Sequence, residues 1–264
     1  MKSRYQFSYL TKQVLTLAVY VVFLVFIIKN IISASDSGTR FFNILILILF
    51  GVPAILYEFL RYNFDSATKK TIFEGRPLEA LDQIKLVEKY DFLKTFRTSC
   101  EMLRMLCLID TRKFDELKTY IKSVRDKGIE DYDVEILSHY ADMILNGEEG
   151  NKSKMISAFE NMVSTRDIKD KKGRRRKGAF FFNWNVVNGE KQLYSKEYKG
   201  AWHYLKVVNE ETMNKREAMH YFIDRAKTTK ALKMDNEYKT YKERAIKAAG
   251  KNQIMIDYIN NILS

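Results

Sequence analysis

The sequence predicts an all-α protein in two parts: a two-helix transmembrane hairpin, then an antiparallel helix-pair solenoid exposed to water. Three observations predict it. Positions 14–57 are nearly free of charge, whereas the rest of the 264 residues is rich in lysine and glutamate and carries most of the 30% charged content. Apolar residues in that second part recur every three or four positions, the period of an amphipathic helix, and the whole chain has only two prolines. Similar turn-to-helix segments also return along it.

The first apolar run, Val14 to Ile28, has fifteen residues without a charge. Extension through Lys29, Asn30, Ile31 and Ile32 brings it to about the 20 residues that cross hydrocarbon, with Lys29 long enough to snorkel to the interface. The second run, Phe41 to Tyr57, has seventeen and is extended by Glu58, Phe59 and Leu60 before Arg61 closes it. Spans are thus expected over 12–33 and 41–60, within a hairpin of residues 1–62 that precedes a helical domain of residues 63–264. The link Ser33–Arg40 is so short that the two helices must lie side by side and antiparallel. A cleaved signal sequence is the competing reading of the first run, since Ile32-Ser33-Ala34 loosely resembles a cleavage site. The run exceeds the usual apolar region of about 7–15 residues, and a second span follows at once. Pro53 reads as a kink tolerated beside a neighbouring helix. Asn43, Glu58 and Lys29 lie near the span ends, where interfacial placement explains them without a transport path.

Basic residues set the orientation. Lys2, Arg4 and Lys12 precede the first span and Arg61, Lys69, Lys70 and Arg76 follow the second, while the link has only Lys29 and Arg40 at its edges. Both termini of this two-span integral membrane protein are therefore expected in the cytoplasm. Cys100 and Cys107, seven apart in an apolar helical pattern, fit a reduced core. With no histidine nearby they cannot close a tetrahedral metal site.

In the second part, Phe92, Phe96, Cys100, Leu103 and Cys107 form one apolar stripe, and Phe114, Leu117, Ile121 and Val124 another. Further stripes are Val134, Leu137, Ala141, Ile144 and Leu145, then Met155, Phe159, Met162 and Val163, then Tyr198, Ala201, Trp202, Leu205 and Val208. Met219, Phe222, Ile223 and Ala226 come next, and Tyr238, Tyr241, Ala245 and Ala248 close the series. Polar turns such as Asp110–Lys113 and Asn146–Gly150 separate them, as expected for antiparallel pairs.

Glu74–Leu81, Asp110–Leu117 and Ser195–Trp202 begin alike, and Asn236–Tyr241 is a weaker copy. Their spacing of roughly 36–43 residues is that of stacked helix-pair repeats. On these residues the chain resembles the tetratricopeptide repeat family, best over Trp184 to Val208. There Gly189 and Ala201 stand twelve apart, like the small residues at which the paired helices of such a repeat approach, and Tyr198 and Leu205 occupy its large apolar positions. The other segments lack the glycine and often the alanine, so the resemblance covers 65–250 loosely. It implies protein binding in a concave groove; the bland counterpart is a plain bundle. Alternation of Phe180, Phe182, Trp184 and Val186 before Asn188-Gly189 is a local β-hairpin signal that competes with the helix expected there.

The segment Lys169–Lys177 has seven basic residues in nine, among them Lys171, Lys172, Arg174, Arg175, Arg176 and Lys177, and Gly178-Ala179-Phe180-Phe181-Phe182 follows. A solvated loop, anionic lipid headgroups beside the bilayer, an acidic protein and nucleic acid are its open readings, nucleic acid the least favoured. The formal net charge of +12 rewards several of these. His139, His203 and His220 are isolated from any metal or nucleophile motif. Gly147–Ser153 mimics a phosphate loop but has Asn151 where glycine must precede the lysine, and Asn151-Lys152-Ser153 is a glycosylation triplet irrelevant in the cytoplasm. No enzyme, cofactor or small-molecule substrate is expected. The expected function is a membrane-anchored adaptor for an unidentified protein, with a lipid- or nucleic-acid-binding module acting through 169–177 as the alternative.

Overall fold

The structure, a computed structural model, describes residues 2–128, 131–167 and 183–263, with side chains from Ala18 onward. It is all-α: no strand occurs among the described residues. Two compact units divide the chain, Met1–Arg61 and Tyr62–Ser264.

The first unit holds α1 (Lys2–Ser33) and most of α2 (Ser37–Lys69). Phe23 meets Phe50 edge-on at 6.5 Å, and the Tyr20 hydroxyl donates to Glu58 at 3.3 Å. Asp36 caps the second helix by accepting from the Thr39 amide at 2.7 Å. Among the described residues one helix is long and apolar enough to cross a membrane. It continues from Ser37 to Glu74, and only 6% of its most apolar window is buried, unlike the core helix of a soluble protein. The described apolar part of α1, Ala18–Ser33, is shorter than a span.

The second unit begins within α2 and turns through a π-helical Lys70–Glu74. There follow α3 (Pro77–Tyr90), α4 (Arg97–Asp110), α5 (Phe114–Asp126), α6 (Tyr132–Glu148), α7 (Lys152–Arg166), α8 (Trp184–Tyr194), α9 (Tyr198–Leu205), α10 (Lys215–Ala231), α11 (Asp235–Ala249) and α12 (Gln253–Ile262). Neighbours in sequence pack as pairs, most extensively α10 with α11, α6 with α7 and α8 with α9. Starts are set by local chemistry. Pro77 opens α3, and the Asp131, Asn151, Asn183 and Asn252 side chains accept from first-turn amides. Asn214 and Glu217 form a reciprocal capping box on α10.

One turn recurs. Arg112, Gly150, Lys196 and Lys233 each take positive φ just after a helix, at 50°, 73°, 61° and 58°. The next amide then bonds back five residues: Lys113 to the Leu108 carbonyl, Asn151 to Asn146, Glu197 to Gln192 and Met234 to Thr229, at 2.8–3.1 Å. This is the Schellman closure. It joins α4 to α5, α6 to α7, α8 to α9 and α10 to α11, at intervals of roughly 40 residues, the scale of helix-pair repeats. The fold is compatible with a helical-repeat solenoid.

The expected stripes supply part of the core: Leu117, Ile121, Leu137, Met155, Met162 and Leu205 are wholly buried, and Cys100 and Cys107 are free and buried. Ile84, Met105, Leu108, Met143, Tyr221 and Ile259, outside those stripes, are wholly buried too. Two expectations are corrected. Phe92 does not extend the α4 stripe: it lies in the α3–α4 turn, 75% exposed, because α4 starts only at Arg97. Asn146–Gly150 is not wholly a turn, since α6 runs to Glu148, whose charge finds inward partners. Of the alternating residues before Gly189, Phe180 and Phe182 lie outside the described residues, and Trp184 and Val186 are helical within Trp184–Tyr194, as favoured over the competing hairpin.

Candidate functional site

A polar stripe runs through the core of the second unit. Arg216, His220, Asp224 and Lys227, spaced by four, four and three, project from one face of α10 among buried apolar neighbours. Each meets a partner from another helix.

At one end Asp110, the last residue of α4 and 2% exposed, accepts from Arg216 Nε at 2.7 Å and its second guanidinium nitrogen at 2.8 Å. His220 Nε2 lies 2.8 Å from the same carboxylate, and Asn252 donates to the Asp110 carbonyl at 2.9 Å. Burial disfavours the Asp110 charge, but Arg216 and His220 outweigh it and hold the carboxyl below its ordinary range. Burial pushes His220 down despite that carboxylate, so the imidazole is neutral and donates through Nε2.

At the other end Glu148, on α6, accepts from Arg112 at 2.5 Å, Tyr194 at 3.1 Å and Tyr258 at 3.2 Å, with Lys227 at 3.9 Å. Lys227 also donates to Tyr258 at 2.8 Å, and the Arg112 guanidinium lies 3.6 Å from the Tyr258 ring centroid. Burial works to raise Glu148, but Lys227 and Arg112 keep it ionised.

Between these ends α8 brings Glu190 to Asp224. Both carboxyls are buried, and Tyr140 donates to one Glu190 oxygen at 3.0 Å. The remaining Glu190 Oε2 and one Asp224 oxygen, Oδ2, have no other donor. Burial, then the Asp224 charge, drives Glu190 well above the usual carboxylate range. Asp224 is pushed up to about 7, chiefly by burial, with Lys227 and the hydrogen bond to Glu190 opposing. A proton kept on one carboxyl lets that group donate to the other, whereas two ionised carboxylates at this depth would leave a charge without a counterpart. Glu190 also lines a cavity of about 250 Å³, with Tyr140, Arg216 and His220. Both Glu190 and Asp224 line a cleft of about 540 Å³, with Glu148, Leu193, Lys227 and Ile262.

A separate groove of about 550 Å³ lies across α3, α4 and α5. Lys94, Arg97, Arg104 and Lys127 face it, opposed by Glu88, Asp91 and Glu101, with Tyr120 in its floor. The carboxylates are already engaged. Glu88 accepts from Arg104 at 2.8 Å, Glu101 from Arg97 at 3.0 Å, and Asp91 from the Thr95 and Phe96 amides at 2.9 and 2.6 Å. Arg104 also lies 4.5 Å from the Tyr120 ring centroid. Arg97 and Arg104 are neutralised by these pairs, which leaves Lys94 and Lys127 against Asp91 and a small positive balance at the groove.

Of the residues singled out in the sequence, Gly189 and Leu205 meet across the α8–α9 pair. A Cβ on Gly189 would lie 2.7 Å from Leu205 Cγ, so only glycine permits this approach. Ala201 is buried in α9 and Tyr198, half-buried, lines the 540 Å³ cleft. Lys171, Lys172, Arg174, Arg175, Arg176 and Lys177 lie outside the described residues. Asp110, Glu148, Glu190 and Asp224 were not anticipated, although the spacing of Arg216, His220, Asp224 and Lys227 is a signal the sequence contains. Among the described residues no group of three or more histidine, cysteine, aspartate or glutamate side chains is arranged to hold a metal. No family model, no curated protein and no solved structure matches the chain.

Proposed function

We propose that the chain is a membrane-anchored adaptor. In this reading α1 and α2 are two spans with both termini in the cytoplasm, and the helix pairs, as a tetratricopeptide-like array, dock an acidic segment of another protein on the cytoplasmic face. The observation that carries the reading is the groove across α3, α4 and α5, lined by three successive helices, in which Arg97 and Arg104 pair with Glu101 and Glu88 while Lys94 and Lys127 face the one remaining carboxylate, Asp91. An acidic peptide would find electrostatic complementarity there without the core having to rearrange. Tethering raises the local concentration of whatever docks, so modest affinity suffices at the bilayer.

A photo-crosslinking residue at position 97 or 127 of the full chain in native membranes tests this, with position 239 on α11 as the comparison. Discrete protein adducts are expected from 97 and 127 but not from 239, and they should persist when Arg174, Arg175 and Arg176 are all alanine. Adducts lost with those alanines, or confined to lipid or nucleic acid, would transfer the function to the basic segment 171–177 and end the groove reading.

A further inference from the structure

Among the described residues of the second unit, the most exposed large apolar side chains are adjacent: Phe92 at 75% and Leu93 at 85%. They are not on a frayed end. Asp91 accepts from the amides of Thr95 and Phe96, the Lys94 amide bonds back to the Asp91 carbonyl, and Arg97 to that of Lys94, all within 2.6–3.3 Å. Lys94 takes φ 55° to close the turn, and Phe96 packs on Phe64 with ring centroids 5.6 Å apart. A tied turn therefore holds a phenyl and an isobutyl group out into solvent, which the chain could have avoided at no cost to its core.

The surroundings say what covers them. Lys89 and Lys94 flank the pair, and Arg97 follows one turn on. The nearby acids are engaged elsewhere: Asp91 by the turn amides, Glu88 by Arg104 and Glu101 by Arg97. Phe92 and Leu93 stand side by side on a short turn between two helices, an arrangement that can enter between headgroups without unfolding either helix. The same chain carries a helix of membrane-crossing length ending a few residues before α3, so a bilayer is the surface kept near it.

We infer that the Phe92-Leu93 turn inserts into the headgroup boundary of an anionic bilayer, with Lys89 and Lys94 on the lipid phosphates. The inference rests on the membrane-anchor reading. It makes this turn a second contact that fixes how the helical unit lies on the membrane, and it sets Lys94, at the rim of the groove, against the lipid surface. A docked partner would then reach the groove along the bilayer.

The test places an environment-sensitive fluorophore on Leu93→Cys in the full chain, reconstituted in phosphatidylcholine–phosphatidylglycerol vesicles. Lys239→Cys is the control, and the buried natural cysteines stay unlabelled. Expected are a blue shift and loss of emission to nitroxide-bearing lipid at 93 but not at 239, both abolished by adding Phe92→Asp while the chain still resists carbonate extraction. A carbonate-resistant chain whose position 93 reports water, or blue-shifts only when a cytoplasmic extract is added, overturns the inference and leaves the anchor standing. A chain that carbonate strips from the vesicles overturns both.

Discussion

Asp110 and the Glu190–Asp224 pair show two ways in which this fold keeps carboxyls inside. Asp110 is ionised because Arg216 and His220 reach it, so Asp110→Ala leaves the Arg216 guanidinium, 10% exposed, with a buried charge and no partner. A loss of about 3–5 kcal/mol is expected, read from denaturant unfolding of the detergent-solubilised chain. The Glu190–Asp224 pair keeps its proton instead. Unfolded, both groups release protons near pH 4; folded, Asp224 holds on to about 7 and Glu190 further. Over that window the folded chain binds more protons than the unfolded one, so this part of the stability is complete below about pH 4 and falls as pH rises through 7. Asp110 and Glu148, held low, lose their contribution only on the acid side of the same range. Glu190→Gln puts a permanent donor in place of the retained proton, so Tm at pH 8 should rise, by about 2–4 °C for each kcal/mol recovered, and should vary less between pH 5 and 8. A variant with the unchanged pH slope would contradict the retained proton. Cys100 and Cys107 are both pushed up to about 12, by burial above all. Maleimide should therefore ignore them in the native chain and label both after unfolding.

Elements were more legible than sites. The three-and-four spacing located α4 to α7 and α9 to α11, and Leu117, Ile121, Leu137, Met155, Met162 and Leu205 of those stripes are wholly buried, because helical amphipathicity is a local property that each segment carries alone. Phe92 was misplaced because a stripe does not show where a helix starts, and Asp91 capping the Thr95 and Phe96 amides decides it. The polar site was hidden for a different reason. Asp110 meets Arg216 only across 106 positions and Glu148 meets Tyr258 across 110, so pairing between distant helices had no local trace. The repeated positive-φ turn was equally silent, since three of its four residues are lysine or arginine instead of glycine. Helix approach is testable at two glycines. Gly189→Ala forces a methyl 2.7 Å from the Leu205 side chain, which is fully buried and cannot withdraw, so a loss of about 1–3 kcal/mol is expected. Gly200→Ala meets only the flexible Gln192 side chain, at 3.3 Å, and should be neutral or gain up to about 1 kcal/mol from helix propensity. Thermal unfolding of both, side by side, separates close packing from propensity.

On the scale of the whole molecule, the central claim is that one end of the chain is held in a bilayer while the helix pairs face the cytoplasm. It is supported by the membrane-length helix, by the low burial of its apolar window, and by the excess of Lys and Arg outside the link between α1 and α2. Adaptor function and the lipid contact of Phe92-Leu93 both depend on it. The most direct measurement is sided cysteine labelling in sealed native membranes, with Ser35→Cys in the link and Lys122→Cys on α5 reported separately. Expected is a chain that resists carbonate extraction, with position 122 labelled by an impermeant maleimide from the cytoplasmic side alone and position 35 from the opposite side alone. Labelling of both positions from the same side, or release of the chain by carbonate, would contradict it.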